Sequence, residues 1–463
     1  MSTLTQESEA TRPQFGTVTP AVVAALQSIV GEEAVLTEER QVRSGSKDSY
    51  HFSPVLIPQL DGQMADVIVR PQTQAQLRDI IALAVRERIP LTPRGAGTGN
   101  YGQGVPLFGG ILVSTQHLNR LVHINADEAC VEAGYILYDI EKAAEEHGAE
   151  LRCFPSTVPT SHTGGFITGG SGGVGSITWG MLREADNVRA LRILTIEEEP
   201  QDLLITGEDL PNVMHNCGLT AFVTEVTLGL APKVAWQQYV LAFDTLRDAL
   251  AAAEALGRDD ELRKRLLTAF EWPVPSYFRP LVKRGGCPEG KHLVFLYTDE
   301  GPEAVAARAA ALGGAISYHD GPRSAQTRGF QIYDYTWNHT TQWAMKTDPA
   351  LTYLQDGFVI ERLVEQIEAR KALFPEVQEH VEFTRGDGEL RAGGLTIVRF
   401  STKERLWALI DYCEANDIRV SNPHTYFLDD DTRWYGEGML EAKRRWDPHG
   451  LLNPGHLHAL ETS

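Results

Sequence analysis

Residues 92–103 read TPRGAGTGNYGQ and continue a short apolar run at residues 89–91. Glycine has no Cβ and adopts positive φ readily, so the four glycines of this stretch let successive backbone N–H groups turn inward. Such a turn forms a concavity that binds anions, and Arg94 and Thr98 add a positive charge and a hydroxyl donor. The stretch therefore predicts a site for a diphosphate. A tight connection without a ligand is the alternative.

A second glycine-rich segment, TGGFITGGSGGVG, occupies residues 163–175. Flexible linkers share this composition, but Phe166, Ile167 and Val174 indicate a buried, close-packed backbone. Dense glycine is expected where main chain lies against a flat or extended ligand. Two bare-backbone segments thus predict one long bound molecule. The Gly-Lys-Ser/Thr ending of nucleotide P-loops is absent from the sequence, and so is an N-terminal GxGxxG turn between a strand and a helix.

With these segments in view, residues 65–230 resemble the FAD-binding domain of the p-cresol methylhydroxylase and vanillyl-alcohol oxidase flavoproteins. Within that family they are most similar to the D-2-hydroxyacid dehydrogenase and glycolate oxidase branch. The matching segments occur in the family's order: ADVIVRPQT (65–73), LTPRGAGTGNYGQ (91–103), GGILVSTQHLNRLVHIN (109–125), CVEAGYILYDIEKAAEEHG (130–148), TGGFITGGSGGVGSITWGMLREADNV (163–188), TAFVTEVTLGLAP (220–232) and the C-terminal WDPHGLLNPG (446–455).

The resemblance implies an FAD-dependent oxidoreductase, either an oxidase or a dehydrogenase. Such an enzyme takes a hydride from an alcohol or a 2-hydroxyacid onto flavin N5 and passes the electrons to oxygen or another acceptor. The first loop would cradle the pyrophosphate and the second would line the isoalloxazine. The implied cofactor-binding residues are Pro93, Arg94, Gly95, Ala96, Gly97, Thr98, Gly99, Asn100, Tyr101, Pro155, Ser156, Thr157, Thr163, Gly164, Gly165, Thr168, Gly169, Gly170, Gly172, Gly173, Gly175, Val223 and Asn453.

The sequence departs from the family pattern at two points. In the segment before the closing strand, residues 215–221, only Gly218 matches a motif that many relatives share. Many relatives also bind FAD covalently through a histidine in the first loop or a cysteine near the second. Here no histidine lies between Arg94 and His117, and Cys153 does not have the family's spacing to the glycines. We therefore expect non-covalent FAD, with His162 as the alternative point of attachment.

The order of predicted elements gives the fold class. A strand, an amphipathic helix and a second strand before residue 95 predict a right-handed crossover between parallel strands, and a second such unit follows. After Pro232 the pattern restarts with strands at 236–243, 292–298 and 395–400 and helices at 245–256, 301–312, 357–373 and 403–416. This is an α+β protein: a two-subdomain FAD-binding domain (21–232), a substrate or cap domain with an antiparallel sheet and helices on one side (233–439), and a C-terminal segment returning to the first domain (440–463).

Two aromatic segments of the second domain supply candidate catalytic residues. FQIYDYTWNHTTQW (330–343) contains Tyr335 and His339, and SNPHTYF (421–427) contains His424 and Tyr426. Either histidine could accept an alcohol proton near neutral pH, and either tyrosine could orient or deprotonate a hydroxyl. The alternative for all four is a packed, hydrogen-bonded position in the core.

No metal site is expected. The hydroxyacid branch often carries a histidine-rich Gly-Asp-Gly segment that helps to bind a divalent cation. The corresponding TRGDGEL (384–390) lacks both flanking histidines and is predicted to be a turn. Arg385 or Arg399 could hold a substrate carboxylate, or either could form a surface ion pair.

Composition narrows the remaining choices. A net charge of −20 disfavours nucleic acid and anionic membranes as partners. No apolar run reaches the length of a membrane span, and the five cysteines have no CxxC spacing. We expect a cytoplasmic enzyme that binds a small-molecule substrate and an electron acceptor, and a homodimer is compatible with the sequence. A non-catalytic flavin-binding module and an electron-transfer subunit of a larger complex are the alternatives.

Overall fold

The computed structural model describes residues 15–184, 186–430 and 435–461. Within these ranges the strands form four sheets, and none of the helices combines the length and the hydropathy that crossing a membrane requires. The helices are α1 Pro20–Val30, α2 Glu39–Ser46, α3 Ile57–Leu60, α4 Gln74–Arg86, α5 Leu137–Glu146, α6 Thr163–Gly169, α7 Ser176–Trp179, α8 Leu246–Arg258, α9 Arg279–Val282, α10 Pro302–Ala311, α11 Asn338–Thr347, α12 Leu363–Leu373, α13 Lys403–Ala415, α14 Glu437–Trp446 and α15 His458–Glu461. The strands are β1 Val35–Leu36, β2 Val67–Val69, β3 Leu91–Arg94, β4 Ile111–Ser114, β5 Leu121–Ile124, β6 Glu128–Glu132, β7 Ala149–Leu151, β8 Val188–Leu194, β9 Asp202–Thr206, β10 Phe222–Pro232, β11 Gln237–Phe243, β12 Lys264–Phe270, β13 His292–Thr298, β14 Ala315–Asp320, β15 Leu351–Tyr353, β16 Gln355–Phe358, β17 Val377–Gln378, β18 His380–Gly386, β19 Glu389–Gly394, β20 Ile397–Arg399 and β21 Arg419–Ser421.

The first sheet has the strand order β1-β2-β4-β3. Helix α4 begins where Thr73 Oγ1 accepts a hydrogen bond from Gln76 N at 3.2 Å, which satisfies one of the free amides of the first turn. Its apolar residues Leu77, Ile80 and Ala84 recur at helical spacing and are buried. The predicted parallel relation of β2 and β3 is confirmed, but the two strands are not neighbours, because β4 lies between them and is parallel to both.

The second sheet is antiparallel and has the order β5-β6-β10-β8-β9, with β7 also paired to β10. Strand β10 is long enough to pair with β8 and β6 along its two edges and with β7 near its end. Strand β9, which the sequence did not predict, pairs with β8 and leaves Leu204 60% exposed. The sequence of β9 lacks the alternation of apolar and polar residues by which a half-buried strand is identified.

The largest sheet, called the cap sheet here, has the order β14-β11-β13-β12-β18-β19-β16-β21 with antiparallel pairs throughout. One face packs against α8, α10, α12 and α13. The other faces the second sheet, where Phe270, Phe295 and Tyr333 join the core of the first domain. The predicted α+β class and the antiparallel sheet with helices on one side are confirmed. The predicted domain boundaries stay predictions.

The helix predicted at 357–373 begins only at Leu363. Residues 355–358 instead form β16, which pairs with β19 on one edge and β21 on the other. Sequence periodicity did not distinguish a helix from a strand here. A polar residue such as Asp356 is expected on the exposed face of a helix, whereas in the structure it is buried in the sheet and forms a salt bridge with Arg370. The strand predicted at 395–400 is likewise shortened to β20.

The C-terminal segment lies against the first sheet. Leu91 N donates to Leu451 O at 2.8 Å, and Asn453 N donates to Leu91 O at 2.7 Å. The turn between them is held by Lys443, whose buried ammonium donates to Asp447 Oδ2 at 2.6 Å and to Leu452 O at 2.6 Å. Asn453 adopts φ +46°, a conformation that asparagine tolerates better than most residues.

Candidate functional site

The two glycine-rich loops meet at Gly95 and Gly165. A Cβ built on Gly95 would lie 3.5 Å from Gly165 Cα, so the backbones are separated by little more than a van der Waals contact. Segments far apart in sequence therefore line one cavity. The predicted residues that line it are Pro93, Arg94, Gly95, Ala96, Gly97, Thr98, Gly99, Asn100, Tyr101, Gly165, Thr168 and Gly169. His162, the alternative point of attachment, also lines it, and the lining residues that the sequence did not indicate are Asp48, Gln103, Gly104, Ser161, Phe166 and Cys217.

Asn100 is the clearest sign that this cavity takes a ligand. Its side chain is 5% exposed, and its Nδ2 has no hydrogen-bond partner although it lines the cavity. A buried donor without an acceptor is costly and calls for an explanation, such as an anion or water that supplies the acceptor. The amide and the bare backbone beside it at Gly97 and Gly99 fit the oxygens of a diphosphate.

Arg94 braces the first loop from within. Its guanidinium donates to Ser46 O at 2.9 Å, Gly104 O at 2.6 Å and Lys47 O at 3.3 Å. Sequence reasoning expected a positive charge directed at the ligand. In the structure these donors hold the loop against the segment after α2, so the loop's shape depends on Arg94.

Asp48 is the acidic member of the cavity. Its Oδ1 accepts a hydrogen bond from Tyr50 N at 2.8 Å, which fixes the turn after α2. Burial raises the pKa of Asp48 to about 6, and the charge of Arg94 opposes that rise. No sequence signal could have identified it, since Asp48 lies far upstream of the loop it faces.

The glycines of the second loop fall into two groups. Gly165 and Gly169 are exposed and line the cavity, and a Cβ on Gly169 would meet no atom within 4 Å. Gly173 and Gly175 instead pack on the protein's own backbone, because their Cβ atoms would lie 2.0 Å from Phe154 O and 1.8 Å from Arg152 O. Internal packing therefore accounts for part of the glycine density that predicted a flat ligand.

The remaining predicted cofactor residues lie outside the cavity lining. Thr163 Oγ1 donates to Tyr135 O at 2.8 Å. Asn453 Nδ2 donates to Gln103 O at 2.8 Å and to Cys217 O at 3.2 Å, which places it directly behind two lining residues. Those without a place in the lining are Pro155, Ser156, Thr157, Thr163, Gly164, Gly170, Gly172, Gly173, Gly175, Val223 and Asn453.

His162 and Cys153 differ in their access to the cavity. His162 lines it, with Nδ1 3.5 Å from Thr115 Oγ1, and burial lowers the pKa of its ring. Cys153 is buried with Sγ 3.3 Å from Ser176 Oγ, and burial raises the pKa of its thiol to about 12. His162 is the better placed of the two to touch a ligand.

None of the four predicted catalytic residues lines this cavity. Tyr335 is 3% exposed and packs against the rings of Phe278 and Trp343, and burial raises the pKa of its phenol well above its usual range. His339 lies in the first turn of α11, where burial lowers the pKa of its ring to about 4. Tyr426 is half-buried in a small cluster with Tyr50.

His424 is a link between parts of the fold. Its Nδ1 lies 2.7 Å from Ser53 Oγ and its Nε2 2.9 Å from Tyr353 O. A carbonyl only accepts, so Nε2 carries the proton and Nδ1 accepts from the hydroxyl. Burial lowers the pKa of His424 to about 4, which keeps the ring neutral.

A second cavity lies between α5 and the cap sheet, and its charges pair with one another. Arg265 contacts Glu141 at 3.2 Å and Glu150 at 3.3 Å, and Trp236 Nε1 donates to Glu150 at 2.8 Å. These pairs connect the two halves of the chain.

The two arginines suggested as carboxylate ligands also form ion pairs, Arg385 with Asp260 and Arg399 with Asp348. Asp387 and Gly388 form the predicted turn between β18 and β19.

Residues 65–202 match the family described as FAD binding domain, and this range contains both glycine loops. The chain therefore contains an FAD-binding domain. Across 427 residues this flavoprotein is 24% identical to the glycolate oxidase subunit GlcD of Bacillus subtilis, which covers 86% of the chain and 89% of the relative. Across 227 residues it is 28% identical to a D-lactate dehydrogenase of Archaeoglobus fulgidus, covering 46% of the chain and 49% of that relative.

The fold is also that of a solved structure. A structure of alkyldihydroxyacetonephosphate synthase superposes with a TM-score of 0.73 over 96% of the chain and 86% of the other protein, at 14% identity. At this identity the likeness is one of fold. The expected family and its cofactor, FAD, are confirmed by the matched FAD binding domain together with the curated relatives.

Proposed function

We propose that this flavoprotein oxidises an alcohol or a 2-hydroxyacid, with FAD held non-covalently across the two glycine loops. The observation that carries the proposal is the single cavity formed where Gly95 approaches Gly165, with the unpartnered Asn100 amide beside it. Two relatives are named for glycolate and D-lactate, which are both 2-hydroxyacids. The substrate class and the choice between oxygen and another electron acceptor are part of the proposal.

The chain's own residues would divide the work of holding the cofactor. The amides of residues 95–99 and the Asn100 side chain would meet the pyrophosphate, Arg94 keeps that loop in place, and Gly165 and Gly169 leave room for the cofactor beside the second loop. Bound FAD supplies hydride acceptance from the substrate C–H bond. His339, His424, Tyr335 and Tyr426 stay the predicted catalytic residues.

Purified protein tests the cofactor first. It should be yellow, and acid precipitation should release the flavin into the supernatant. Flavin that stays in the pellet would contradict non-covalent binding and direct attention to His162. Colourless protein that gains no flavin absorbance when FAD is added would contradict the proposal as a whole.

An anaerobic screen of alcohols and 2-hydroxyacids then tests the reaction, since a substrate bleaches the flavin without any electron acceptor. His339→Ala and His424→Ala follow on the best substrate. If both variants reduce the flavin as fast as the parent, neither histidine accepts the proton. Failure of every compound to bleach the flavin would favour a binding or electron-transfer role.

We also propose a cytoplasmic location, which the sequence predicts, and a homodimer, with which the sequence is compatible. Light scattering coupled to size exclusion gives the molar mass of the assembly, and fractionation of the source cells gives the location. A monomer by scattering would contradict the dimer without affecting the proposed reaction.

A further inference from the structure

Tyr353, on β15, has a buried hydroxyl with no hydrogen-bond partner among the residues that the structure describes. Its side chain is fully buried, and Oη makes no hydrogen bond. A phenol in such a place normally finds an acceptor, because leaving the hydroxyl unpaired after removal from water is unfavourable. An orphaned hydroxyl in a native fold therefore points to a group that binds there.

The surroundings of Tyr353 connect it to the first glycine loop. Ser49 N donates to Gly99 O at 2.7 Å, so the segment around Ser49 is attached to the loop. The same segment reaches β15, where Thr352 Oγ1 donates to Phe52 O at 2.6 Å and the ring of Phe52 meets that of Tyr353 edge-on at 6.2 Å.

Two residues of the cavity lining act electrostatically on the Tyr353 phenol, which is not itself part of that lining. Asp48 and Tyr101 both line the cavity, and both interact electrostatically with the Tyr353 phenol. Together with burial these interactions raise the pKa of Tyr353 well above 10, so the hydroxyl keeps its proton and acts as a donor. The Asp48 carboxylate already accepts from Tyr50 N through Oδ1.

The position of the ring is fixed from the other side. The backbone carbonyl of Tyr353 accepts from His424 Nε2 at 2.9 Å, and His424 is held in turn by Ser53. The backbone of Tyr353 is thus anchored by His424, while Asp48 and Tyr101 of the cavity lining act on its phenol. A donor held in this way is suited to one defined acceptor.

We propose that Tyr353 is a cofactor-binding residue contributed by the second half of the chain, and that its hydroxyl donates a hydrogen bond to FAD bound in the cavity. The inference rests on the proposed function. It adds a residue that no glycine motif indicates and that joins the cap side of the protein to the cofactor.

Tyr353→Phe tests this, with Tyr277→Phe as the matched control. Tyr277 Oη donates to Gln378 Oε1 at 2.9 Å, whereas the Tyr353 hydroxyl has no partner among the described residues. Each variant is examined in two forms, FAD-free and FAD-loaded. The measurements are the thermal midpoint of each form, the FAD dissociation constant and the flavin absorbance spectrum.

For Tyr353→Phe we expect an FAD-free midpoint equal to or above that of the parent, because the orphaned hydroxyl is gone. We expect FAD affinity to fall about five- to tenfold, as for one hydrogen bond, with a smaller rise in the midpoint when FAD binds. Tyr277→Phe should lower both midpoints and leave FAD affinity unchanged.

Two results overturn the inference alone. One is a Tyr353→Phe protein with the parent's FAD affinity and flavin spectrum. The other is an FAD-free Tyr353→Phe midpoint lowered as far as that of Tyr277→Phe, since the hydroxyl would then have a partner within the protein. A parent protein that binds no FAD overturns the proposed function and this inference together.

Discussion

Ser53 Oγ lies 2.7 Å from His424 Nδ1, and this contact joins the segment between β1 and β2 to the edge of the cap sheet. The residues are more than 370 positions apart in sequence. Because Nε2 of the same ring donates to Tyr353 O, the imidazole bridges two parts of the fold that also border the cavity. His424 therefore has a structural role, because it holds the Ser53 segment and β15 together.

We expect His424→Ala to lower the free energy of unfolding by about 2–4 kcal/mol, because it leaves the Ser53 hydroxyl and the Tyr353 carbonyl without partners and opens a void. Ser53→Ala removes one of the two bonds and should cost about 1–2 kcal/mol. Urea unfolding of both variants and of the double variant measures this. The double variant should lose less stability than the sum of the two single variants, because both remove the same contact; its loss beyond His424→Ala comes from the 3.2 Å hydrogen bond from Leu56 N to Ser53 Oγ. A stable His424→Ala protein that cannot be reduced by substrate would instead support the catalytic role predicted from the sequence.

Gly169→Ala probes the wall of the cavity formed by the second loop. Its added methyl group meets no protein atom within 4 Å, and alanine is favoured over glycine at the end of α6, so FAD-free stability should be unchanged or slightly higher. The methyl group projects where we place the cofactor, so FAD affinity should fall by roughly tenfold or more. Gly62→Ala, in an exposed turn with equal space, is the control. Equal FAD affinity in the two variants would remove the second loop from the binding site.

Asn100→Ala tests the unpartnered amide. A hydrogen bond to a charged phosphate contributes about 1.5–3 kcal/mol, so FAD affinity should fall by roughly ten- to hundredfold. FAD-free stability should not fall, because Nδ2 has no partner in the protein to lose. Asn338→Ala removes an amide outside the cavity and should leave FAD titrations unchanged. If Asn100→Ala binds FAD as tightly as the parent, the pyrophosphate is held elsewhere.

The loop at residues 92–103 could be predicted from sequence because its constraints are local: positive φ at Gly97 and Gly102 can be met by few residues other than glycine. Asp48, Cys217 and Tyr353 could not, since only the folded chain brings them to that loop. The bracing role of Arg94 could not be predicted for the same reason. Two of its three carbonyl acceptors, Ser46 O and Lys47 O, lie in a distant segment of the chain. The residue type indicated a positive charge but not the groups to which its guanidinium donates.

The second loop shows the opposite difficulty. Glycine at positions 173 and 175 is required by the carbonyls of Phe154 and Arg152, whereas glycine at 165 and 169 faces the cavity. A sequence presents both requirements as the same letter. The aromatic segment at 330–343 was ambiguous in a similar way, because Tyr335 meets the pattern of a site residue yet packs among other rings in the core.

FAD binding should depend on pH through Asp48. Its pKa is raised from 3.8 to about 6, so the carboxyl loses its proton as pH rises through 6 and then repels a pyrophosphate in the same cavity. Affinity should therefore be highest below pH 6 and weaken by up to about tenfold per pH unit above it, until the carboxyl of the complex also ionises. The stability of the FAD-free protein should fall as the pH rises from 3.8 to 6, because the folded state binds the Asp48 proton more tightly than the unfolded chain does.

Asp48→Asn keeps an acceptor for Tyr50 N but cannot ionise, so its FAD affinity should be nearly independent of pH and exceed that of the parent at pH 7.5. Asp61→Asn is the control, since Asp61 is exposed, pairs with Lys47 and does not line the cavity. Fluorescence titrations from pH 5.5 to 7.5 measure all three proteins. The charge of Arg94 in the loop acts on Asp48. The change of the parent's FAD affinity with pH therefore measures how much of the repulsion between Asp48 and the pyrophosphate is cancelled by the Arg94 guanidinium. If the FAD affinity of the parent does not change with pH, then either Arg94 cancels the repulsion completely or the pyrophosphate lies away from Asp48. In both cases Asp48→Asn should bind FAD no more tightly than the parent at pH 7.5.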